Sequence, residues 1–392
     1  LNREGSAPSI RVLLSWYDGH RRVLPWREEP TPYHVWLSEI MLQQTRVEAA
    51  RGYYERFLAA LPDIRALAEA PEEQYMKLWE GLGYYSRVRN LHRAAVQIME
   101  EYGGEMPADA AELKKLAGIG RYTAAAVSAI AFGRRAAAVD GNLQRIFTRL
   151  TGYRQNIKSA AALSAAEIFW TARMDEGAEE FRNADGSPLE APGSPRNYYG
   201  DCNQALMDLG AAVCLPNGGP HCDECPWEHA CVAHAEHCES RLPVLPKKRL
   251  RRVEERTVLV IRDAERTALR KRPAKGLLAG LYELPNTEGC LNEAEALEYV
   301  RSLGLSPLHI RGIGPAKHVF SHVEWHMTGY EVRVDELEER AAPGLLLVET
   351  AEALTRYSIP SAFAAYAEYA GIRGSRPAGK KKAPGDTPAG LH

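Results

Sequence analysis

Four cysteines, Cys214, Cys222, Cys225 and Cys231, follow one another with gaps of seven, two and five residues. Thiolates from so compact a segment can hold a zinc ion or a 4Fe-4S cluster, and spacing alone does not choose between them. Six of the seven cysteines fall within residues 202–238, with Cys202 and Cys238 at the edges. Such crowding in an intracellular chain points to metal ligation over disulfides. Two carboxylates also stand out. Glu39, in SEIMLQQTRV (38–47), lies beside Ile40, Met41 and Leu42. Taken alone it reads first as a solvent-facing helix glutamate; desolvated among such neighbours, its carboxyl would have a raised pKa and suit a proton donor. Gln43 and Gln44 add amides that can probe base edges. In LAGIGRYTAAAV (116–127), Gly118 and Gly120 permit a tight turn between two helices, whose exposed N–H groups suit a phosphate. Asp140, in VDGNLQRIF, comes twenty residues past Gly120, and this pairing is far more specific than a lone GxG.

These residues need elements to hold them. Residues 8–235 read as helical, with periodic apolar positions at Leu37, Ile40, Met41 and Leu42 and at Ala124, Val127, Ile130 and Ala131. The polar, Gly-, Pro- and Ser-rich stretch 175–201 reads as a long exposed loop. SRLPVLPKKRLRR (240–252) reads as a linker, since Pro243 and Pro246 prevent a helix and the charge run keeps it solvated. Beyond it the pattern turns to strands at 257–263 and 267–272 and along an alternating stretch from His318 to Val334, with helices in EAEALEYVRSL and AEALTRYSI. A separate α+β domain is expected at 253–370, after a helical domain at 1–239, and a disordered tail at 371–392. The chain's 392 residues accommodate two or three domains. Its net charge of -2 weighs against a strongly basic nucleic-acid binder. Basic residues nevertheless cluster locally, at Arg87, Arg89 and His92, at Arg134 and Arg135, and at Lys247, Lys248, Arg249, Arg251 and Arg252. Local clusters suffice to contact phosphates. Nothing reads as a membrane span or a secretory signal, so an intracellular, reducing setting is expected.

The motifs, in this order, resemble the helix–hairpin–helix DNA glycosylase superfamily. PWREEPTPYHVWLSEIMLQQTRVE, LWEGLGYYSRVRNLHRAA and NQALMDLGAAVC resemble its MutY branch across residues 15–235, and FSHVEW (320–325) extends the likeness. The resemblance implies a multidomain fold: an all-α glycosylase domain with an iron–sulfur cluster loop, followed by an α+β Nudix-like domain. It implies a 4Fe-4S cluster on Cys214, Cys222, Cys225 and Cys231. It implies a monofunctional N-glycosyl hydrolase of base excision repair that removes adenine paired with 8-oxoguanine or guanine in duplex DNA. A monomer with no membrane partner, acting in the cytoplasm on genomic DNA, is expected.

Residue by residue, Glu39 matches the family's general acid and Asp140 the carboxylate that stabilises charge on the sugar, with Tyr122 and Asn142 lining the same centre. Tyr122 stands where bifunctional relatives such as endonuclease III carry a Schiff-base lysine. Arg22, Trp26, Arg27 and Leu42 match the adenine pocket. Gln44 and Tyr84 match residues that wedge into the duplex, and Gly118 and Gly120 match the DNA-binding hairpin. Phe320, Ser321 and His322 match a loop that touches the oxidised guanine. GLLAGLYELP (276–285) fits a Nudix-like fold, but the REUxEExG core is absent, so pyrophosphohydrolase activity is not expected. The chain departs from the family in three places. The gap after Cys214 is one residue longer than usual, Ala117 replaces a hairpin proline, and the 175–201 loop is long. His318, His322 and His326 would share one face of an unbroken strand, where an ordinary polar face is a better reading than a metal site.

Overall fold

A computed structural model describes residues 8–180, 197–217, 219–246, 250–335, 337 and 344–374. The chain divides into two compact units, one built from 8–71 and 84–246, the other from 72–83 and the described residues from 250 onward. No helix among the described residues is long and apolar enough to cross a membrane.

Helices come first in the chain: α1 (Ile10–His20), α2 (Pro25–Glu28), α3 (Pro32–Leu42), α4 (Val47–Ala60), α5 (Ile64–Glu69), α6 (Glu72–Leu78), α7 (Ser86–Glu101), α8 (Ala110–Leu113), α9 (Arg121–Phe132), α10 (Gly141–Thr151), α11 (Ala160–Glu180), α12 (Tyr198–Ala212) and α13 (Val232–Ala235). All but α6 belong to the first unit. α3 starts where Thr31 accepts from the His34 N–H and Pro32 occupies the first turn. Tyr33, Val35, Trp36, Leu37, Ile40 and Met41 are all buried, so this helix is enclosed on every side. α10 instead has one apolar stripe, Leu143, Ile146, Phe147 and Leu150, packed with Leu13, Trp170 and Leu206.

The stretch expected to be a loop at 175–201 is helical at both ends. α11 runs on to Glu180 and α12 begins at Tyr198, while 181–196 lie outside the described residues. Asp175 is fixed by the Arg135 Nε at 2.7 Å. Gly177, a loop signal in the sequence, sits where a Cβ would come within 2.6 Å of the Tyr198 hydroxyl and 2.7 Å of the Ile10 side chain. It is there for close helix packing. The start of the expected linker is also held, since Leu242 is buried and Ile157 N–H donates to the Val244 carbonyl at 3.0 Å. Lys247, Lys248 and Arg249 and residues 375–392 lie outside the described residues, but the start of the expected disordered tail is packed: Ile372 and Arg373 are buried, and Arg373 Nη1 donates to the Ile359 carbonyl at 3.1 Å.

In the second unit, β1 (Arg252–Arg262), β2 (Arg266–Lys271), β3 (Tyr282–Glu283), β4 (Asn286–Glu288), β5 (Pro307–Val319), β6 (Val323–Val334) and β7 (Leu345–Glu349) form one mixed sheet. The order is β3-β2-β1-β6-β5, with β4 paired to β1 and β7 to β2; β1 and β6 run parallel. Side chains alternate across it. Val258, Val260, Trp325 and Met327 pack under α15 (Thr350–Arg356) and α16 (Ala364–Tyr369), and Leu259, Ile261, Val332 and Val334 under α14 (Glu293–Ser302). The long alternating stretch is therefore a hairpin and not a single strand. β5 ends at Val319, and residues 320–322 turn the chain into β6. Segment 72–83, which the sequence assigns to the helical half, packs here. Lys77 Nζ donates to the Tyr357 carbonyl at 3.1 Å, and Glu80 accepts from the Ile359 N–H at 2.9 Å.

Candidate active site and thiol centre

Glu39 sits in the last turn of α3, buried among that helix's apolar neighbours. Burial pushes its carboxyl up to about 7. The Tyr122 hydroxyl, donating to Oε2 at 2.6 Å, pulls the other way, the charge of Asp140 pushes further up, and Arg27 pulls down. Tyr122 is in the first turn of α9, directly after the hairpin. Burial, then the charges of Glu39 and Asp140, hold its phenol well above the ordinary value, so it stays a hydrogen-bond donor. Asp140 caps α10. One oxygen accepts from the Asn142 and Leu143 N–H groups at 2.8 Å each, and the other from Asn142 Nδ2 at 2.8 Å. Burial raises this carboxyl too, while those three donors favour its anion. Two carboxyls thus stand beside one tyrosine, one solvated by little but a phenol, the other by a helix terminus. Environments that differ in this way let one act as an acid and the other as an anion.

Arg22, Trp26, Arg27 and Leu42 line one cavity with Glu39, of about 430 Å³ counted to its open mouth. Sequence reasoning missed three contributors from α12. Gln204 and Met207 line the cavity. Asp208, fully buried, accepts from Arg22 N and Nε at 3.1 and 2.7 Å and from Arg27 Nη1 and Nη2 at 2.7 and 3.0 Å. A buried carboxylate needs such partners. The signal was available in NQALMDLG, where Gln204, Met207 and Asp208 recur at helical spacing.

The hairpin between α8 and α9 turns at Gly118, with φ of 74° and space so tight that a Cβ would lie 2.5 Å from Asn90 Cβ. Gly120 has an ordinary φ of -86° and open space, so the turn depends on Gly118 alone. Ala117 uses the N–H that a proline would lack, donating to Gln97 Oε1 at 2.8 Å. Gln44 and Tyr84 are both exposed and both have positive φ, 58° and 49°.

Cys214, Cys222, Cys225 and Cys231 line a second cavity, of about 310 Å³ to its mouth, with Arg149, His234 and Glu239. The additional residue after Cys214 does not keep it from the others. Cys202 packs in the helical core and Cys238 against Ala233 and Leu242, so neither replaces one of the four. Burial raises Cys222 to about 11 and Cys225 to about 12, and raises Cys231; neighbouring thiols add to each shift. Thiols so raised keep their protons unless a bound cation takes their place. Among the described residues, the metal-ligating side chains whose donor atoms all lie within 4.8 Å are Cys222, His234 and Glu239, and no three of the four cysteines are that close. Bonds of about 2.3 Å to one zinc would bring thiolates within about 4 Å of one another. The spread fits a larger group. Arg149 Nη1 donates to Cys214 Sγ at 3.2 Å. Arg145, one turn earlier on α10, donates to the Cys214 carbonyl at 2.8 Å and to Asn142 Oδ1 at 2.8 Å.

In the second unit, Phe320, Ser321 and His322 form the β5–β6 turn. Phe320 is half-buried, edge-on to Trp325 at 4.9 Å and to His318 at 4.6 Å, while Ser321 and His322 are exposed. The three histidines do not share a strand face. His318 pairs with Trp325 across the hairpin, His322 is in the turn, and His326 lies opposite Lys317 and contacts Glu324 at 2.7 Å.

Comparison with known proteins agrees with both units. Residues 37–170 match the HhH-GPD superfamily of base excision DNA repair proteins, and residues 257–369 match the NUDIX domain. The chain is 33% identical to the adenine DNA glycosylase of Homo sapiens over 80% of its own length and 64% of that protein's. It is 32% identical to that of Mus musculus over 84% and 72%, and 30% identical to that of Buchnera aphidicola subsp. Schizaphis graminum over 81% and 85%.

The burial of Glu39 has a consequence for stability. The folded chain holds its proton up to about 7, whereas an ordinary glutamate releases it near 4.5. Stability therefore declines as pH rises from 4.5 to 7, and the full penalty remains above that. Glu39→Gln removes the ionisation. Its thermal midpoint is expected to exceed the parent's at pH 8 and to approach it at pH 4. Melting curves at both values check this; a difference that does not change with pH would contradict it.

Proposed function

Starting from a chain that belongs to the adenine DNA glycosylases, we propose that it hydrolyses the N-glycosidic bond of adenine opposite 8-oxoguanine or guanine in duplex DNA. The observation that carries this reading is the pair of desolvated carboxyls, Glu39 and Asp140, both acting on the Tyr122 phenol, with Glu39 in the wall of an open cavity. A base stacked in a duplex must be extruded to reach such a cavity, at a cost of a few kcal/mol. Arg22, Trp26, Arg27 and Leu42 receive it. Glu39, protonated near neutral pH, gives its proton to a ring nitrogen. The C–N bond breaks, its electron pair leaving with adenine, and the sugar gains oxocarbenium character. Asp140, held as an anion by the start of α10, stabilises that charge, and water adds to the sugar carbon with loss of a proton. Tyr122 and Asn142 keep the carboxyls in place. A phenol cannot form a Schiff base, so the reaction ends at the abasic site.

Around this centre, Gly118 and Gly120 belong to the phosphate-binding hairpin, and Gln44 and Tyr84 fill the space the adenine leaves. Cys214, Cys222, Cys225 and Cys231 would hold a 4Fe-4S cluster, which when bound ties their loop together as four iron–thiolate bonds. Phe320 anchors the β5–β6 turn, and Ser321 and His322 read the oxidised guanine. The working protein is an intracellular monomer acting on genomic DNA, with the helical part at 1–239 apart from 72–83, a linker at 240–252 whose start packs on that part, and the lesion-reading part at 253–370.

Single-turnover excision on defined duplexes tests the chemistry. Glu39→Gln and Asp140→Asn are each expected to lose on the order of a thousandfold in rate while binding the duplex nearly as well as the parent. Substantial excision by either variant removes that residue from the mechanism, and thymine excision in place of adenine would overturn the choice of base. Metal analysis of the purified protein is expected to find about four irons per chain with a broad visible absorption. Stoichiometric zinc would replace the cluster with a single-ion site. Replacing Ser321 and His322 together by alanine is expected to cost about 1–3 kcal/mol of preference for 8-oxoguanine over guanine, compared at one salt concentration. An equal loss on both duplexes would make the turn a general DNA contact.

A further inference from the structure

We propose that Arg87 is the positioning residue of the duplex wedge: one buried guanidinium fastens together the two chain segments that present Gln44 and Tyr84. The inference rests on the reading of those two side chains as the wedge. Arg87 lies in the first turn of α7. Its Nη1 donates to three carbonyls at the end of α3, those of Ile40 at 2.8 Å, Met41 at 3.0 Å and Gln43 at 2.6 Å. These are groups a helix end leaves without intrahelical partners, and a cation there also meets the negative end of the helix dipole. The next residue after the last of them is Gln44, exposed at φ of 58°.

The same side chain reaches the other segment. Its guanidinium carbon lies 5.6 Å from the centre of the Tyr84 ring, and the backbone N–H of Arg87 donates to the Tyr84 carbonyl at 2.9 Å. Tyr84 is exposed at φ of 49°. Left-handed backbone is uncommon away from glycine and persists where the surroundings over-determine it. Here two such residues, about forty positions apart in the chain, are both tied to one cation. Burial lowers Arg87 only to about 10, so it remains charged at neutral pH. A wedge held in shape before DNA arrives loses less freedom on insertion than one that must be ordered at that moment. Lysine would keep the charge among the carbonyls, which one nitrogen already reaches, but it has no planar guanidinium to set against the Tyr84 ring at the same time.

The test is a mutant cycle on the full chain. Arg87→Met and the double variant Gln44→Ala/Tyr84→Ala are each expected to slow single-turnover excision from a paired adenine by about tenfold. The three changes together are expected to be no slower than the double variant, because Arg87 acts only through the wedge. Extrusion followed by 2-aminopurine fluorescence falls in step with the rate, and the pH midpoint of excision stays where the parent's is. Arg87→Lys, which keeps the buried charge, gives an intermediate loss and serves if Arg87→Met does not fold. Losses that multiply in the triple variant, or a shifted pH midpoint, overturn the inference and leave the wedge reading standing. A double variant with the parent's rate overturns both.

Discussion

The hydrogen bond from the Tyr122 hydroxyl to Glu39 joins the start of α9 to the end of α3 where water has little access. Much of the helical unit follows from making that bond in that place. α3 has to be enclosed on all sides to desolvate the carboxyl, which is why its sequence is apolar all round and not striped. α9 has to begin within reach of α3, which needs the turn at Gly118 to bring the hairpin back against Asn90. The arrangement works against stability, since an enclosed carboxyl resists ionisation, and it persists because a proton donor near neutral pH is useful only when protonated.

α10 acts as a bar between the two centres of the first unit. Asp140 caps it, Asn142 holds Asp140, Arg145 holds Asn142 and the Cys214 carbonyl, and Arg149 reaches the Cys214 sulfur. The polar side of this one helix thus runs from the carboxylates to the thiols, while its apolar stripe grips the core. Both arginines are buried and donate to carbonyls, Arg149 also to the Cys214 sulfur, and the charge of Asp140 acts on Arg145.

How much was legible depends on whether a residue's role was local. The helix–hairpin–helix, its glycine, Glu39 and the four cysteines are all marked by their immediate neighbours or spacing. Asp208 was not, because its meaning comes from Arg22 and Arg27, over 180 residues away. Local cues also misled. Gly177 looks like a loop residue because its packing partner Ile10 is distant in the chain. The alternation from His318 to Val334 hides a turn, since period-2 patterning continues across a tight hairpin and only pairing shows where the strand reverses. Gly118 and Gly120 look equivalent in the motif, yet only backbone dihedrals tell which one needs to be glycine.

The position of residues 72–83 bears on how the protein is made. Lys77 finds the Tyr357 carbonyl 280 residues downstream, and Glu80 finds the Ile359 N–H 279 residues downstream. At about 5–20 residues per second, the ribosome delivers those partners roughly 14–56 seconds after the segment has emerged. During that interval α6 lacks the surface it packs on in the finished molecule, and so short a helix has little stability of its own. The helical half of a nascent chain therefore carries one unfinished segment until nearly the last of the second unit has been synthesised.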